Sequence, residues 1–187
     1  MALTKLTTKI RALVVDIGAT DYQTYEYTTS SVFTVAVSNA TVTSVLQNGA
    51  TLGSGEWSYN SVSQEVTITA SLTSGDAIQL NFSYYSYSAT ELKEYIRAAL
   101  VYMDAFGYVA DEDYEMETDD IYPVPSNRDS DVIALVASIL IKPNYNMYTT
   151  PTITVRYPRT MDKDEKIKRI IEKGRWPIGL IRVITFD

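Results

Sequence analysis

Leu3, Leu6, Ile10, Leu13, Val14 and Ile17 recur at steps of three and four at the start of the chain, which lays one apolar stripe along a helix. Gly18 follows, where a left-handed cap would end that helix. The stripe predicts a first helix of about four turns. Between residues 22 and 87 the period falls to two. Phe33, Val35 and Val37 alternate with polar residues, as do Val66, Ile68 and Ala70, and then Ile78, Leu80, Phe82 and Tyr84. Such alternation belongs to half-buried strands. Asn48-Gly49 suits a type I′ hairpin, Gly53-Ser54-Gly55 a loop, and Ser74-Gly75-Asp76 a turn before the last strand. The spacing predicts roughly seven short strands in a small antiparallel sandwich.

Helical spacing then returns. Ser88 and Glu91 form a capping box ahead of Leu92, Tyr95, Ile96, Ala99, Leu100, Met103 and Phe106, and Gly107 ends the run. The segment Asp129-Ser130-Asp131 is expected to cap a third helix over residues 132–141, apolar on nearly every side and stopped by Pro143. A helix of that kind sits at the centre of its bundle. Residues 152–157 read as a short strand. From Asp162 a charged helix carries a narrow stripe of Ile167, Ile170 and Ile171, with Gly174 as its stop. Residues 176–186 are mostly apolar with one charge, Arg182, and Val183, Ile184 and Phe186 favour a terminal strand. The fold class expected is α+β: a discontinuous helical bundle with an inserted β-sandwich and a C-terminal extended tail. The domains expected are residues 1–20 with 88–175, the insert 21–87 and the tail 176–187.

The chain has 187 residues, 16 basic and 23 acidic, with a formal net charge of −7 and neither Cys nor His. That composition excludes disulfides, thiolate nucleophiles, Cys/His zinc sites and every triad with imidazole as base. No catalytic, cofactor-binding or metal-binding residues emerge, and no cofactor is expected. Lys5, Lys9, Arg11 and Asp16 interrupt the first apolar stretch, so neither a signal-peptide core nor a membrane span is read there. Residues 17–88 contain no Lys or Arg, so this region gains no counterion-release energy on nucleic acid.

Four features are candidates for function, each beside a plainer reading. Asp111, Glu112, Asp113, Glu115, Glu117, Asp119 and Asp120 form a dense acidic run. As a calcium loop it has Met116 where the sharp turn needs Gly and Tyr122 where a bidentate Glu belongs, which leaves a solvated loop. Nine cations, Arg156, Arg159, Lys163, Lys166, Lys168, Arg169, Lys173, Arg175 and Arg182, lie near the C-terminus. They suit an acidic partner, or simply a solvated helix face paired with Asp162, Asp164, Glu165 and Glu172. Trp57, Tyr59 and the tyrosines at positions 22, 25, 27, 84, 85 and 87 offer either a sugar platform or packing and interface area. Trp176, Ile178, Leu180, Ile181, Val183, Ile184 and Phe186 make the tail too apolar to stand in water, so it is covered by its own chain or by another. These seven residues are the candidate interface.

Residues 4–14 (TKLTTKIRALV), 41–49 (TVTSVLQNG) and 134–143 (ALVASILIKP) resemble the corresponding parts of tailed-bacteriophage neck proteins, the head-to-tail connectors or adaptors that sit under the portal. The resemblance implies a structural virion protein, made in the host cytoplasm, that forms a closed ring of about twelve copies. It implies docking on the portal protein through the tail, contacts with tail and neck proteins, and DNA passing through the channel without specific binding. An acidic wall suits that passage, because like charge gives a polyanion no binding well. A sandwich that binds host glycan or decorates a capsid is the competing expectation.

Overall fold

A computed structural model describes residues 2–117, 120–149, 153–173 and 182–185. In chain order the elements are α1 (Ala2–Val14), β1 (Ala19–Glu26), β2 (Val32–Thr34), β3 (Ala40–Gln47), β4 (Ala50–Thr51), β5 (Trp57–Asn60), β6 (Glu65–Ile68) and β7 (Ala77–Tyr84). They continue with α2 (Ala89–Ala105), β8 (Glu115–Met116), β9 (Ile121–Tyr122), α3 (Asn127–Ile141), β10 (Met147–Thr149), β11 (Ile153–Arg156), α4 (Lys163–Lys173) and β12 (Arg182–Thr185). The fold is mixed α+β. The chain divides into two compact units, one of residues 1–16 with 89–187 and one of residues 17–88.

In the helical unit α3 packs against α1, α2 and α4. Val132 to Ala137 and Ile139 are all buried, which is why this helix is apolar on every side. Within residues 132–139 Ser138 is the polar exception, and its hydroxyl donates back to Ala134 O at 2.7 Å. Helix α1 lays Leu3, Leu6, Ile10, Leu13 and Val14 on the core, and α2 adds Leu92, Ile96, Ala99 and Met103. Lys9 ties α1 to α3 by donating to Ser130 Oγ at 2.9 Å and Asp131 Oδ1 at 2.6 Å.

Two helix ends differ from the expectation. Helix α1 stops at Val14, not at Gly18, because Val15 takes the left-handed conformation with φ +56°. The Asp16 amide donates to Arg11 O at 2.8 Å and the Val15 amide to Ala12 O at 3.4 Å, the paired bonds of a Schellman cap. Arg11 also donates to the buried Asp16 carboxylate, and Ile17 is left exposed. The side-chain pairing of Arg11 with Asp16 draws the chain out of the helix before Gly18 is reached. Val15 is 59% exposed, so its side chain contributes little packing while its φ is costly for a β-branched residue. Val15→Gly is expected to raise stability by about 1 kcal/mol, read from thermal unfolding.

Helix α3 begins at Asn127 and not at Val132. Its N-cap is Ser126, whose hydroxyl accepts from the Asp129 amide at 3.2 Å. Asp129 is therefore inside the first turn, with its carboxylate available for another role. Helix α2 ends as the sequence suggests. Gly107 has φ +71°, and the Tyr108 amide donates to Met103 O at 2.8 Å.

Beyond α3 the chain forms a three-stranded sheet in the order β10-β11-β12. Strand β11 pairs antiparallel with β10 and parallel with β12, placing Val155 opposite Ile184. Residues 182–185 are thus a strand of their own chain's sheet, the terminal strand expected within the C-terminal tail. Lys166, read above as one of the solvated cations, is only 2% exposed. Its ammonium donates to Pro143 O and to Tyr145 O and lies 5.9 Å from the Tyr157 ring centroid. Burial lowers its pKa, with Asp162 acting in the opposite direction. The lysine satisfies carbonyls of the turn after α3 that would otherwise be left unpaired.

In the other unit, β1 to β7 form a four-stranded sheet in the order β1-β7-β3-β4 and a three-stranded sheet in the order β2-β6-β5, all antiparallel. Phe33, Val35, Val42, Val45, Val66, Ile68, Ile78, Leu80 and Phe82, drawn from both sheets, share one buried core. The β3–β4 turn has Asn48 at φ +51° and Gly49 at φ +83°, as a type I′ hairpin requires. Asp76 accepts from Asn48 Nδ2 at 2.7 Å, Gln47 Nε2 at 2.6 Å and the Thr73 amide at 2.8 Å, joining that hairpin to the turn before β7.

Candidate functional site

The acidic run is not a loose loop. Strands β8 and β9 make a short ribbon, with Glu115 opposite Tyr122 and Met116 opposite Ile121. Ile121 is fully buried beneath it. On the N-terminal side the run is fastened to α3 by Asp129, whose side chain is fully buried. Its carboxylate accepts from Tyr108 Oη at 2.7 Å, Tyr114 Oη at 2.6 Å, the Asp111 amide at 2.8 Å and Arg128 Nε at 3.2 Å. Arg128 also donates to Val109 O at 3.0 Å and pairs with Asp111 at 3.3 Å. The Ser126 cap places Asp129 one turn into α3, facing the incoming segment.

Burial favours the neutral form of Asp129, but the bonds from Tyr114, Asp111, Tyr108 and Arg128 outweigh it and hold the carboxyl below the usual range. Burial, then the hydrogen bond to Asp129, pushes the Tyr114 hydroxyl up to about 12 and raises Tyr108 further still. These groups are locked in one protonation state at neutral pH. Four donors occupy the Asp129 carboxylate, so the cluster fixes the incoming segment of chain to α3.

The cluster holds an outward platform. Asp111, Glu112, Asp113, Glu115 and Glu117 are exposed, and Val109, Tyr122 and Val124 stand among them, also exposed. Asp120 turns back toward the bundle, and its carboxylate accepts from the Leu3 amide at 2.8 Å, capping the first turn of α1. Asp119 lies outside the described residues. Among the described residues, no three Asp or Glu side chains converge where a metal ion could be held.

On α4, Lys163, Lys168 and Arg169 follow the plainer reading, unlike the buried Lys166. Arg169 pairs with Glu165 at 3.0 Å and Lys168 with Glu172 at 3.8 Å, one turn apart. Lys163 pairs with Asp164 and donates to Tyr102 Oη at 3.0 Å. Arg156 and Arg159 are exposed.

The aromatic residues of the insert are mostly committed to packing. Trp57, Tyr25, Tyr27, Tyr59 and Tyr84 lie against its core. Tyr59 Oη donates to Ala40 O at 2.9 Å, and Tyr25 Oη donates to Thr34 O. Tyr22 and Tyr85 remain partly exposed.

Of the seven candidate interface residues in the C-terminal segment, Val183 and Ile184 fall in β12. Trp176, Ile178, Leu180, Ile181 and Phe186 lie outside the described residues. Sequence reasoning missed the Asp129 cluster because its members are spread over residues 108–129 without a periodic pattern. The signal present was Ser126 three residues before Asp129, a capping pair.

No family model matches the chain, and no curated protein is detectably similar to it in sequence. Among the described residues no helix is long and apolar enough to cross a membrane.

Proposed function

We propose that this chain is a structural, non-enzymatic component of a tailed-bacteriophage neck, a connector or adaptor that joins the portal of the head to the tail as a ring. The observation that carries the reading is the packing of α1 on α3. Two of the three segments bearing the resemblance fall in these helices, far apart in sequence and adjacent in one unit. In this reading α1 to α4 are a discontinuous bundle that makes neighbour contacts, and β1 to β7 are a small sandwich inserted between α1 and α2. The working parts are surfaces: the acidic platform fixed by Asp129, and the C-terminal segment with Trp176, Ile178, Leu180, Ile181, Val183, Ile184 and Phe186 as interface. A ring of about twelve copies is the closed arrangement expected of a heterologous contact, with the portal on one side, tail or neck proteins on the other, and DNA passing through unbound.

Imaging of purified virus particles tests this. The expected result is density for this chain as a ring at the head–tail junction. Absence of the chain from the particles, or a single copy per particle, overturns it.

A further inference from the structure

Strand β1 is eight residues long and lies at the edge of its sheet, paired among the described residues on one side only, with β7. The Tyr27 amide donates to Asp76 O at 2.8 Å just beyond the strand, so the odd-numbered residues of β1 exchange hydrogen bonds with β7. The backbone groups of Thr20, Tyr22, Thr24 and Glu26 therefore point away from the sheet. One of these amides, that of Tyr22, is covered by the Asp21 carboxylate at 2.8 Å. An exposed edge of this length is ordinarily blunted by Lys, Pro or a bulge. Strand β1 has none of the three; its charged side chains are Asp21 and Glu26, which deter an acidic edge and suit a cationic one, and its eight residues pair with β7 without a break in register.

Charge selects what the edge accepts. Residues 17–88 carry Asp21, Glu26, Glu56, Glu65 and Asp76 and no cation. Pairing with the same strand of another copy brings two wholly acidic units together, which long-range repulsion opposes. The opposite charge is in the same polypeptide. Residues 153–187 carry nine cations against Asp162, Asp164, Glu165, Glu172 and Asp187. That region also holds an edge strand: among the described residues β12 pairs only with β11, and it begins at Arg182.

We infer that β1 of one copy receives β12 of the next, so that the four-stranded sheet of one subunit and the three-stranded sheet of its neighbour join edge to edge. The contact is heterologous, donor edge on one face and acceptor edge on another, and so generates a ring or a filament and not a closed dimer. Main-chain hydrogen bonds supply the affinity and the opposite net charges supply the orientation. The inference rests on the ring reading and names the surfaces that build the ring.

The test is made in solution on the full chain, which has no native cysteine. Thr24→Cys and Thr185→Cys proteins, mixed under mild oxidation, are expected to give a disulfide-linked pair that neither protein gives alone. Thr24→Pro removes an outward amide that the β7 ladder does not use. It is expected to lower the association constant about tenfold, with unchanged circular dichroism, and raised salt is expected to weaken association of the native chain. A linked pair from the Thr24→Cys protein alone shows β1 against β1 and overturns the inference, as does association unaffected by Thr24→Pro. A chain that stays monomeric in solution at high concentration also overturns it, while the ring reading still stands or falls on the particle imaging.

Discussion

Asp129→Ala is expected to lower the stability of the helical unit by about 3 kcal/mol, because it strands two tyrosine hydroxyls and the Asp111 amide without their acceptor, while Arg128 keeps Val109 O and Asp111. The measurement is chemical denaturation followed by far-UV circular dichroism. Asp129→Asn separates charge from shape. The amide retains an acceptor oxygen but presents donors where Tyr114 and the Asp111 amide already donate, so a loss of comparable direction and smaller size is expected. The same cluster sets a pH dependence. Asp129 has a folded pKa below its ordinary value, so its contribution is fully present above about pH 4 and disappears as pH falls through the depressed value. Tyr114 is raised to about 12, so its contribution persists to about pH 10 and disappears as pH climbs through 12. In Asp129→Ala the acid limb of the stability profile should flatten. An unchanged acid limb would mean that other carboxylates control it.

Phe82→Ala is the second large effect. Phe82 is 1% exposed in the middle of β7, the strand that pairs with both β1 and β3, and its ring lies 6.2 Å from that of Tyr84. Removing a buried phenyl ring costs about 3–5 kcal/mol. A unit confined to residues 17–88 buries a small core and has little stability to spare. The expected outcome is loss of amide protection across β1, β3 and β7 in hydrogen exchange, with protection kept in α2 and α3. Equal loss in both units would show that they unfold as one cooperative body.

What was legible in the residues follows from where one physical term dominates. Periodicity placed α2 and α4, because Leu92, Ile96, Ala99 and Met103 in one and Ile167 and Ile170 in the other face a single buried side. The Asn48-Gly49 turn was equally plain, since positive φ at two successive residues is a local demand. Helix ends were less legible wherever a side chain outbid a glycine. Arg11 and Asp16 end α1 at Val14, four residues before Gly18, and the Ser126 cap starts α3 at Asn127, five residues before Val132. Lys166 looked like solvent-facing charge because its long stem carries the ammonium to carbonyls that no sequence pattern announces. Strand β10 escaped notice altogether. Its burial rests on one residue, Tyr148, whose hydroxyl donates to Lys142 O at 2.5 Å.

The lack of cations in the insert has a practical side. Trypsin cuts after Lys and Arg, and the chain offers it no site between Arg11 and Lys93. One long peptide, with all seven strands inside it, should therefore survive digestion even of denatured protein. Amine-directed labels should decorate the helices and leave that stretch blank.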